Sequence, residues 1–275
     1  MPVTTRTLAV PGARLYYEVR GRGPLLLLIG APMASGFFAG LAEQLAAGHT
    51  VLSYDPRGIS RSPLDGPAAP DTPEMRADDV RRLILAAGGG PADVFGSSGG
   101  AITGLALVER HPGLVGTLVA HEPPLIELLP DADVHRAQTS ELLQIYRDRG
   151  ADAAMAKFLA NAGIDPGALP SSDDLPEPVI ARLRRDNEYF LGYQLLGTVS
   201  FRPDLAALKA TSTRVVVGVG ATSAGQTAHR TAAALAERLG APLIEFPGDH
   251  GGFVGHPAEF AAVLEQTLAG PGGTG

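Results

Sequence analysis

The feature of this sequence that most constrains its fold is a regular alternation of short apolar segments with helical patterns, joined by short glycine- and proline-rich links. The uninterrupted apolar run Leu25–Ile29 is typical of a strand that is buried on both faces of a sheet. Strands that alternate with helices predict a mostly parallel sheet covered by helices on both faces. Such sheets place their chemistry at the carboxyl ends of the strands.

The predicted elements follow one another along most of the chain. Two N-terminal strands, at 5–10 and 14–20, form a hairpin around a Pro11-Gly12 turn. Further strands are predicted at 25–29, 50–54, 92–95, 114–120, 214–219 and 242–246, and helices at 36–47, 72–87, 98–110, 227–239 and 257–268. The prediction is therefore an α/β fold with eight strands.

One segment interrupts the alternation. Residues 123–207 contain helical patterns, at 134–147, 152–161 and 178–196, but no convincing strand. We expect residues 1–122 and 208–269 to form the α/β core and residues 123–207 to form an inserted helical cap. The glycine-rich residues 270–275 are expected to be a disordered tail.

Composition excludes several classes of function. The chain of 275 residues has no cysteine, which excludes a thiol nucleophile, a disulfide scaffold and a thiolate metal site. Its net charge of −7 provides no general field for binding nucleic acid or an anionic membrane. The apolar run near the start is far shorter than the roughly 20 residues that span a bilayer. We expect a soluble, cytoplasmic protein without a secretion signal.

A serine between glycines is the strongest chemical signal. The segment Gly96-Ser97-Ser98-Gly99-Gly100 matches the G-x-S-x-G nucleophile elbow, with Ser98 at its centre. The pattern alone is weak, but it lies between a predicted strand and a predicted helix, which is the context that this turn requires. Ser97 fits less well because Phe95 stands where the elbow prefers a small residue. A glycine-rich turn with an incidental serine is the alternative.

With this elbow, the chain resembles the α/β-hydrolase fold family over nearly its whole length, in the serine hydrolase branch with a helical cap. The segment 54–62, which contains Asp55 and Arg57, looks like the family's D-x-R-G-x-G-x-S loop after the fourth strand. The resemblance implies a structural role for both residues. The turn Gly30-Ala31-Pro32 looks like the family's H-G-x-P oxyanion turn, although Ile29 replaces the histidine. By this resemblance, the oxyanion donors are the backbone N–H groups of Ala31 and Gly99.

The general base that a serine nucleophile needs lies late in this fold, after the last strand. His250 stands there, between glycines that allow its loop to bring the imidazole over the sheet edge. A surface histidine is the alternative interpretation. A metal site formed with Asp249 and His256 is disfavoured, because neither a histidine pair at helical spacing nor a third ligand supports it.

The acid of the triad departs from the common pattern. It usually follows the seventh strand, where this chain has 218–225 without an aspartate or glutamate. Glu122 ends the sixth strand, and some branches of the family take their acid from that place. Glu122 is therefore the predicted acid. Two alternatives stay open: Glu122 only caps or forms a salt bridge at the junction to the cap, or the site is a dyad without an acid. Asp249 is a poorer candidate because it is adjacent to the base.

These residues predict a metal-free, cofactor-free serine hydrolase that acts on carboxylic esters or lactones of small, largely apolar molecules through an acyl-enzyme. The alternative keeps the fold without hydrolysis, as a lyase, cyclase or perhydrolase, or as a binding protein with a vestigial site. The expected partner is a small-molecule substrate, and a homodimer stays open. The candidate pocket residues are Met33, Phe37, Phe38, Tyr146 and Tyr189, each of which could equally belong to a core.

Overall fold

The computed structural model describes residues 2–162 and 176–270. One sheet contains eight strands in the order β1-β2-β4-β3-β5-β6-β7-β8. Their bounds are β1 (Thr4–Val10), β2 (Ala13–Arg20), β3 (Leu25–Ile29), β4 (Thr50–Tyr54), β5 (Ala92–Ser97), β6 (Val115–His121), β7 (Arg214–Gly220) and β8 (Leu243–Phe246). Strand β2 is antiparallel to both β1 and β4, and all other neighbours are parallel. The predicted α/β fold with a mostly parallel eight-stranded sheet is confirmed.

Helices connect the parallel strands, and two more follow the last strand. They are α1 (Ala39–Leu45), α2 (Pro73–Ala86), α3 (Gly99–Arg110), α4 (Ala132–Arg149), α5 (Ala151–Ala162), α6 (Glu177–Tyr189), α7 (Leu195–Val199), α8 (Leu205–Ala210), α9 (Thr227–Leu239), α10 (Gly252–Gly255) and α11 (Pro257–Ala269). Helix α2 begins where Thr72 accepts a hydrogen bond from the Met75 N–H and Pro73 opens the first turn. Within residues 2–162 and 176–270, no helix is long and apolar enough to cross a membrane.

The two faces of the sheet bury two separate apolar clusters. Leu27 and Ile29 of β3 point into a cluster with α2, α3 and α9, while Leu26 and Leu28 point into a cluster with α1 and α11. This alternation follows from the period of two along a strand. The run Leu25–Ile29 is apolar throughout because both faces of β3 are covered.

The described residues between β6 and β7 form helices, as the sequence predicts. Their own apolar cluster contains Leu142, Phe190 and Leu195. A short π-helical turn, Phe190–Gln194, joins α6 to α7. Residues 163–175 lie outside the described residues, and the assignment of 123–207 to a separate cap stays a prediction. Helix α8 crosses residue 207, and its Leu208 belongs to the main core.

One local prediction differs from the structure, and another falls largely outside the described residues. The helix predicted at 36–47 is a 3₁₀ turn, Ser35–Phe38, followed by α1. The Asp55 side chain accepts hydrogen bonds from both the N–H and the hydroxyl of Ser35, and this fixes the start of the tighter turn. Of the predicted tail, residues 271–275 lie outside the described residues.

Candidate active site

Ser98 occupies a strained turn between a strand and a helix. Strand β5 ends at Ser97 and α3 begins at Gly99, so Ser98 alone makes the turn. Its φ of 56° and ψ of −124° lie in a region that side chains other than glycine rarely adopt. Its N–H donates to the His121 carbonyl at 2.9 Å, which holds the turn against the neighbouring strand. This is the backbone geometry of a nucleophile elbow.

The glycines around Ser98 are required by close backbone approaches. A Cβ at Gly96 would lie 2.6 Å from the Gly100 carbonyl oxygen. A Cβ at Gly100 would lie 2.1 Å from the Ile29 carbonyl oxygen. Both distances are too short for a carbon atom, so only glycine lets β5 turn this sharply into α3 beside the end of β3.

The same packing brings Gly99 against Ala31, the two residues predicted as oxyanion donors. A Cβ at Gly99 would lie 2.4 Å from the Ala31 carbonyl oxygen, and Ala31 itself is 4% exposed. In residues 2–162 and 176–270, neither the Gly99 N–H nor the Ala31 N–H has an acceptor. For Gly99 this follows from its place, because the first N–H groups of a helix have no partner within it.

Glu122 and His250, the predicted acid and base, contact each other. The His250 Nδ1 lies 2.6 Å from Glu122 Oε2, across 128 positions of sequence. Glu122 has no exposed surface, whereas the His250 side chain is 18% exposed. The carboxylate can only accept, so Nδ1 carries the proton and Nε2 is left as the basic nitrogen of the ring.

Glu122 lies directly after β6 and has a φ of +46°. Ser60, Ser98 and Glu122 are the three residues other than glycine with a positive φ in the described part of the chain. Two of these three are therefore the predicted nucleophile and the predicted acid. Such conformations persist only where the surroundings hold them, and they cluster at functional sites. The Glu122 N–H donates to the Gly218 carbonyl at 3.0 Å, which anchors this turn to β7.

The electrostatics at Glu122 favour its ionised form. Burial by itself raises the pKa of this carboxyl. The hydrogen bond and the charge of His250, together with the Ser223 hydroxyl, outweigh burial and lower the pKa of Glu122 to about 2. Glu122 is therefore an anion at neutral pH, as the predicted acid of a triad must be.

We expect this shift to appear as a pH dependence of stability. The pKa of Glu122 falls from an ordinary value of 4.5 when unfolded to about 2 when folded. Its contribution to the free energy of unfolding is thus fully present above about pH 5 and is lost as the pH falls towards 2. In urea unfolding at pH 6 and pH 3, the wild type should lose more stability than Glu122→Gln, which cannot titrate. Equal losses of stability in the two proteins would contradict a Glu122 pKa that is lowered by folding.

Ser223 completes the surroundings of Glu122 and is not among the predicted site residues. Its hydroxyl donates to Glu122 Oε1, which also accepts the Gly220 N–H at 2.9 Å. Ser223 is fully buried in the loop after β7, where the family's acid was sought in the sequence. Its position after β7 was the only sequence signal for a role in the site. A serine at that position does not by itself indicate a hydrogen bond to a carboxylate 101 residues earlier.

His121 is a second buried group that the sequence reasoning did not assign. Its ring lies among Phe95, Phe246 and Phe260, with the His250 ring centroid 6.3 Å away. Burial lowers the pKa of His121 to about 3, so it is neutral at pH 7. A neutral His121 leaves the Glu122 carboxylate without a competing cation beside His250.

The five predicted pocket residues do not form one group. Phe38 has no exposed surface and stacks on Phe253 at 5.0 Å, so it is a core residue and does not line an open pocket. Met33 is half-buried against the same cluster, and Phe37 is 45% exposed. The Tyr146 hydroxyl donates to the Glu188 carbonyl. Both residues lie in the helices between β6 and β7, which are called the inserted helices below. Tyr189 is buried with its ring against the loop after β4.

Asp55 and Arg57 occupy the loop after β4 and make contacts that hold it. Asp55 is fully buried and accepts from Arg61 Nε at 2.7 Å, besides its bonds to Ser35. Arg57 binds Asp79 of α2 through two hydrogen bonds of 2.8 and 2.7 Å. Each charge is therefore paired within the fold, as a structural role requires.

Comparisons with known proteins agree with this geometry. A family model described as alpha/beta hydrolase fold matches residues 23–175. The hydrolase YraK of Bacillus subtilis (strain 168) is 34% identical over 275 residues, 98% of this chain and 97% of the relative. The zearalenone hydrolase of Bionectria ochroleuca is 27% identical and covers 96% of this chain and 97% of its own length.

Solved structures show the same fold. A hydrolase from Pseudomonas aeruginosa PA01 has a TM-score of 0.73 and 26% identity, covering 96% of this chain and 98% of its own. The enol-lactonase from Burkholderia xenovorans LB400 has a TM-score of 0.69 and 21% identity, covering 96% and 100%. The sheet, the elbow turn and these likenesses define a protein of the α/β-hydrolase fold. The chain belongs to the alpha/beta hydrolase family and is a hydrolase of that family.

Proposed function

We propose that this hydrolase is a serine esterase or lactonase that acts on small, largely apolar molecules through an acyl-enzyme. Ser98 is the nucleophile, His250 the general base and Glu122 the acid. The observation that carries the proposal is the 2.6 Å contact between His250 Nδ1 and the buried Glu122 carboxylate. A buried carboxylate that fixes the tautomer of a partly exposed histidine is the arrangement that activates a serine.

In the first half of the reaction, Ser98 Oγ attacks the carbonyl carbon of the ester, and His250 Nε2 takes the hydroxyl proton. The carbonyl electron pair moves onto oxygen, which accepts hydrogen bonds from the Ala31 and Gly99 N–H groups. The positive end of α3 adds a favourable dipole at this point. The tetrahedral intermediate then collapses, and the alcohol leaves with the proton from His250.

In the second half, the acyl group on Ser98 is released by water. His250 Nε2 takes a proton from the water molecule as its oxygen attacks the acyl carbon. The intermediate collapses, and the proton returns from His250 to Ser98 Oγ as the carboxylic acid leaves. Glu122 stays ionised throughout, because its pKa of about 2 is far below neutral pH.

The substrate class is supported by the chemistry of the proposed site and by one relative. The relative from Bionectria ochroleuca is named a zearalenone hydrolase. A serine nucleophile, a general base and two oxyanion donors are the groups that the hydrolysis of a carboxylic ester or lactone requires.

Two departures from the family's pattern would favour the second class of function, a non-hydrolytic enzyme or a binding protein on this fold: no acid follows β7, and Ile29 replaces a histidine. The first departure loses weight because Glu122, at the end of β6, contacts the proposed base. The second concerns a side chain, while the proposed donors are backbone N–H groups. No observation in the described residues favours the second class over hydrolysis.

The proposal is tested by measuring turnover of short acyl p-nitrophenyl esters and of small lactones by the wild-type protein. We expect hydrolysis with an initial burst of p-nitrophenol wherever release of the acyl group is slower than its formation. Acidic substrates should be poorer than neutral ones of the same size, since the chain carries a net charge of −7. A folded protein that is inactive on the whole panel would contradict the proposal.

A further inference from the structure

A buried cluster of charged and polar side chains joins the inserted helices to the helix that follows the elbow. Arg76 of α2 has no exposed surface. Its Nε donates to Thr103 Oγ1 at 3.2 Å, and its Nη2 donates to Thr198 Oγ1 at 2.9 Å. Its Nη1 lies 3.2 Å from Asp71 Oδ1. Thr103 lies on α3 and Thr198 on α7, so one buried cation connects these two elements.

The surroundings of this cation are held from several sides. Asp71 is 1% exposed, and its Oδ2 accepts from Gln194 Nε2 at 2.5 Å. The Asp71 N–H donates to the Tyr193 carbonyl at 2.9 Å. A buried guanidinium is tolerated only where its charge and its N–H groups are satisfied together. The partners of Arg76 are therefore constrained to stay in place, those on the inserted helices included.

The hydroxyl of Thr103 passes this constraint to Gly99. A guanidinium can only donate, so Thr103 Oγ1 must accept from Arg76, and its own single proton is free for another acceptor. That acceptor is the Gly99 carbonyl, 3.0 Å away. Two consecutive hydrogen bonds thus lead from the buried cation to the first residue of α3.

The backbone of Gly99 needs support beyond the backbone hydrogen bonds of its helix. Glycine has the greatest backbone freedom of any residue, and the first turn of a helix lacks part of its hydrogen bonding. Its lack of a side chain is nevertheless required by the approach to Ala31. Reacting groups displaced by roughly 1 Å can lose about 100-fold in rate. A small change in the direction of the Gly99 N–H could therefore lower the rate strongly even where it costs the fold little stability.

We propose that Thr103 is a positioning residue of this hydrolase: its hydroxyl, oriented by Arg76, holds the Gly99 carbonyl and thereby the backbone of Gly99 that carries the donor N–H. Thr198 and Asp71 anchor Arg76 and do not contact Gly99. The inference rests on the proposed function, because it assigns Gly99 as an oxyanion donor. Arg76 itself touches neither Ser98 nor His250 in the described contacts.

The test compares two variants that each remove one acceptor from the same cation. Thr103→Val and Thr198→Val keep the shape of the side chain and leave one N–H group of Arg76 without a partner. We expect Thr103→Val to lower kcat for a short acyl ester by about 10-fold with KM within about twofold, because only this variant frees the first turn of α3. We expect Thr198→Val to keep kcat within about twofold, although it loses a comparable amount of thermal stability.

Thr103→Ser restores the hydroxyl and should return kcat to within about threefold of the wild type. The same order should hold for the rate at which an activated fluorophosphonate labels the protein, since that reaction also develops charge on oxygen. A Thr103→Val variant with wild-type kcat, or a Thr198→Val variant that loses kcat equally, would overturn the inference while the proposed function stands. A wild type that neither hydrolyses esters nor is labelled would overturn both.

Discussion

Replacing Ser98 with alanine should lower kcat for a short acyl ester by about 10⁴-fold or more, because the nucleophile of the acyl-enzyme is removed. The fold should persist, since the elbow is held by its glycines and by the Ser98 N–H, neither of which alanine changes. Turnover of p-nitrophenyl butyrate, measured alongside circular dichroism, checks both statements.

The neighbouring serine provides a matched control for this substitution. Ser97 ends β5, has no exposed surface and contacts His121 Nδ1 at 3.3 Å. Ser97→Ala removes the same atom one residue earlier, so we expect kcat within about fivefold of the wild type. If Ser97→Ala abolishes turnover and Ser98→Ala keeps it, the nucleophile is misassigned.

Replacing Glu122 with glutamine should lower kcat by about 10³- to 10⁴-fold at neutral pH. Glutamine keeps the shape of the side chain, but its amide group can donate to His250 Nδ1 and so favour the wrong tautomer of the ring. It also removes the negative charge that stabilises the imidazolium. Steady-state kinetics on the same ester measure the loss, which should fall on kcat more than on KM.

Asp249 gives the control for this change of charge. It is exposed and adjacent to the base, and its carboxylate accepts from the Gly251 N–H at 2.8 Å. Asp249→Asn alters the net charge as Glu122→Gln does, and we expect kcat within about threefold of the wild type. An unaffected Glu122→Gln variant would remove Glu122 from the mechanism and favour an acid-free dyad.

The fold could be predicted from the sequence because local patterns and packing agree along most of it. The run Leu25–Ile29 is apolar on both faces because both faces are covered, and the strand and the prediction coincide. The same holds for α9, whose end at Gly240 follows from the left-handed conformation there. The elbow could be predicted for a related reason, because the glycines that its close backbone contacts require are also the glycines of the sequence motif.

The parts that could not be predicted depend on pairs of residues far apart in the chain. Nothing local in Ser223 indicates that its hydroxyl supports Glu122, and nothing local in Arg76 indicates a link between α3 and α7. The sequence pattern does not distinguish a pocket residue from a core residue at Phe38, because an aromatic side chain after β3 suits a pocket wall and a core equally. Only the packing of α1 and α11 over that face decides for the core.

The most direct test of the central claim is to map the residue that an activated fluorophosphonate labels. Intact mass and peptide mapping should show one adduct, on Ser98, in the wild type and in Ser97→Ala, and no adduct in Ser98→Ala. An adduct on another residue, or ester hydrolysis by a wild type that takes no label, would contradict a Ser98 nucleophile activated by His250 and Glu122.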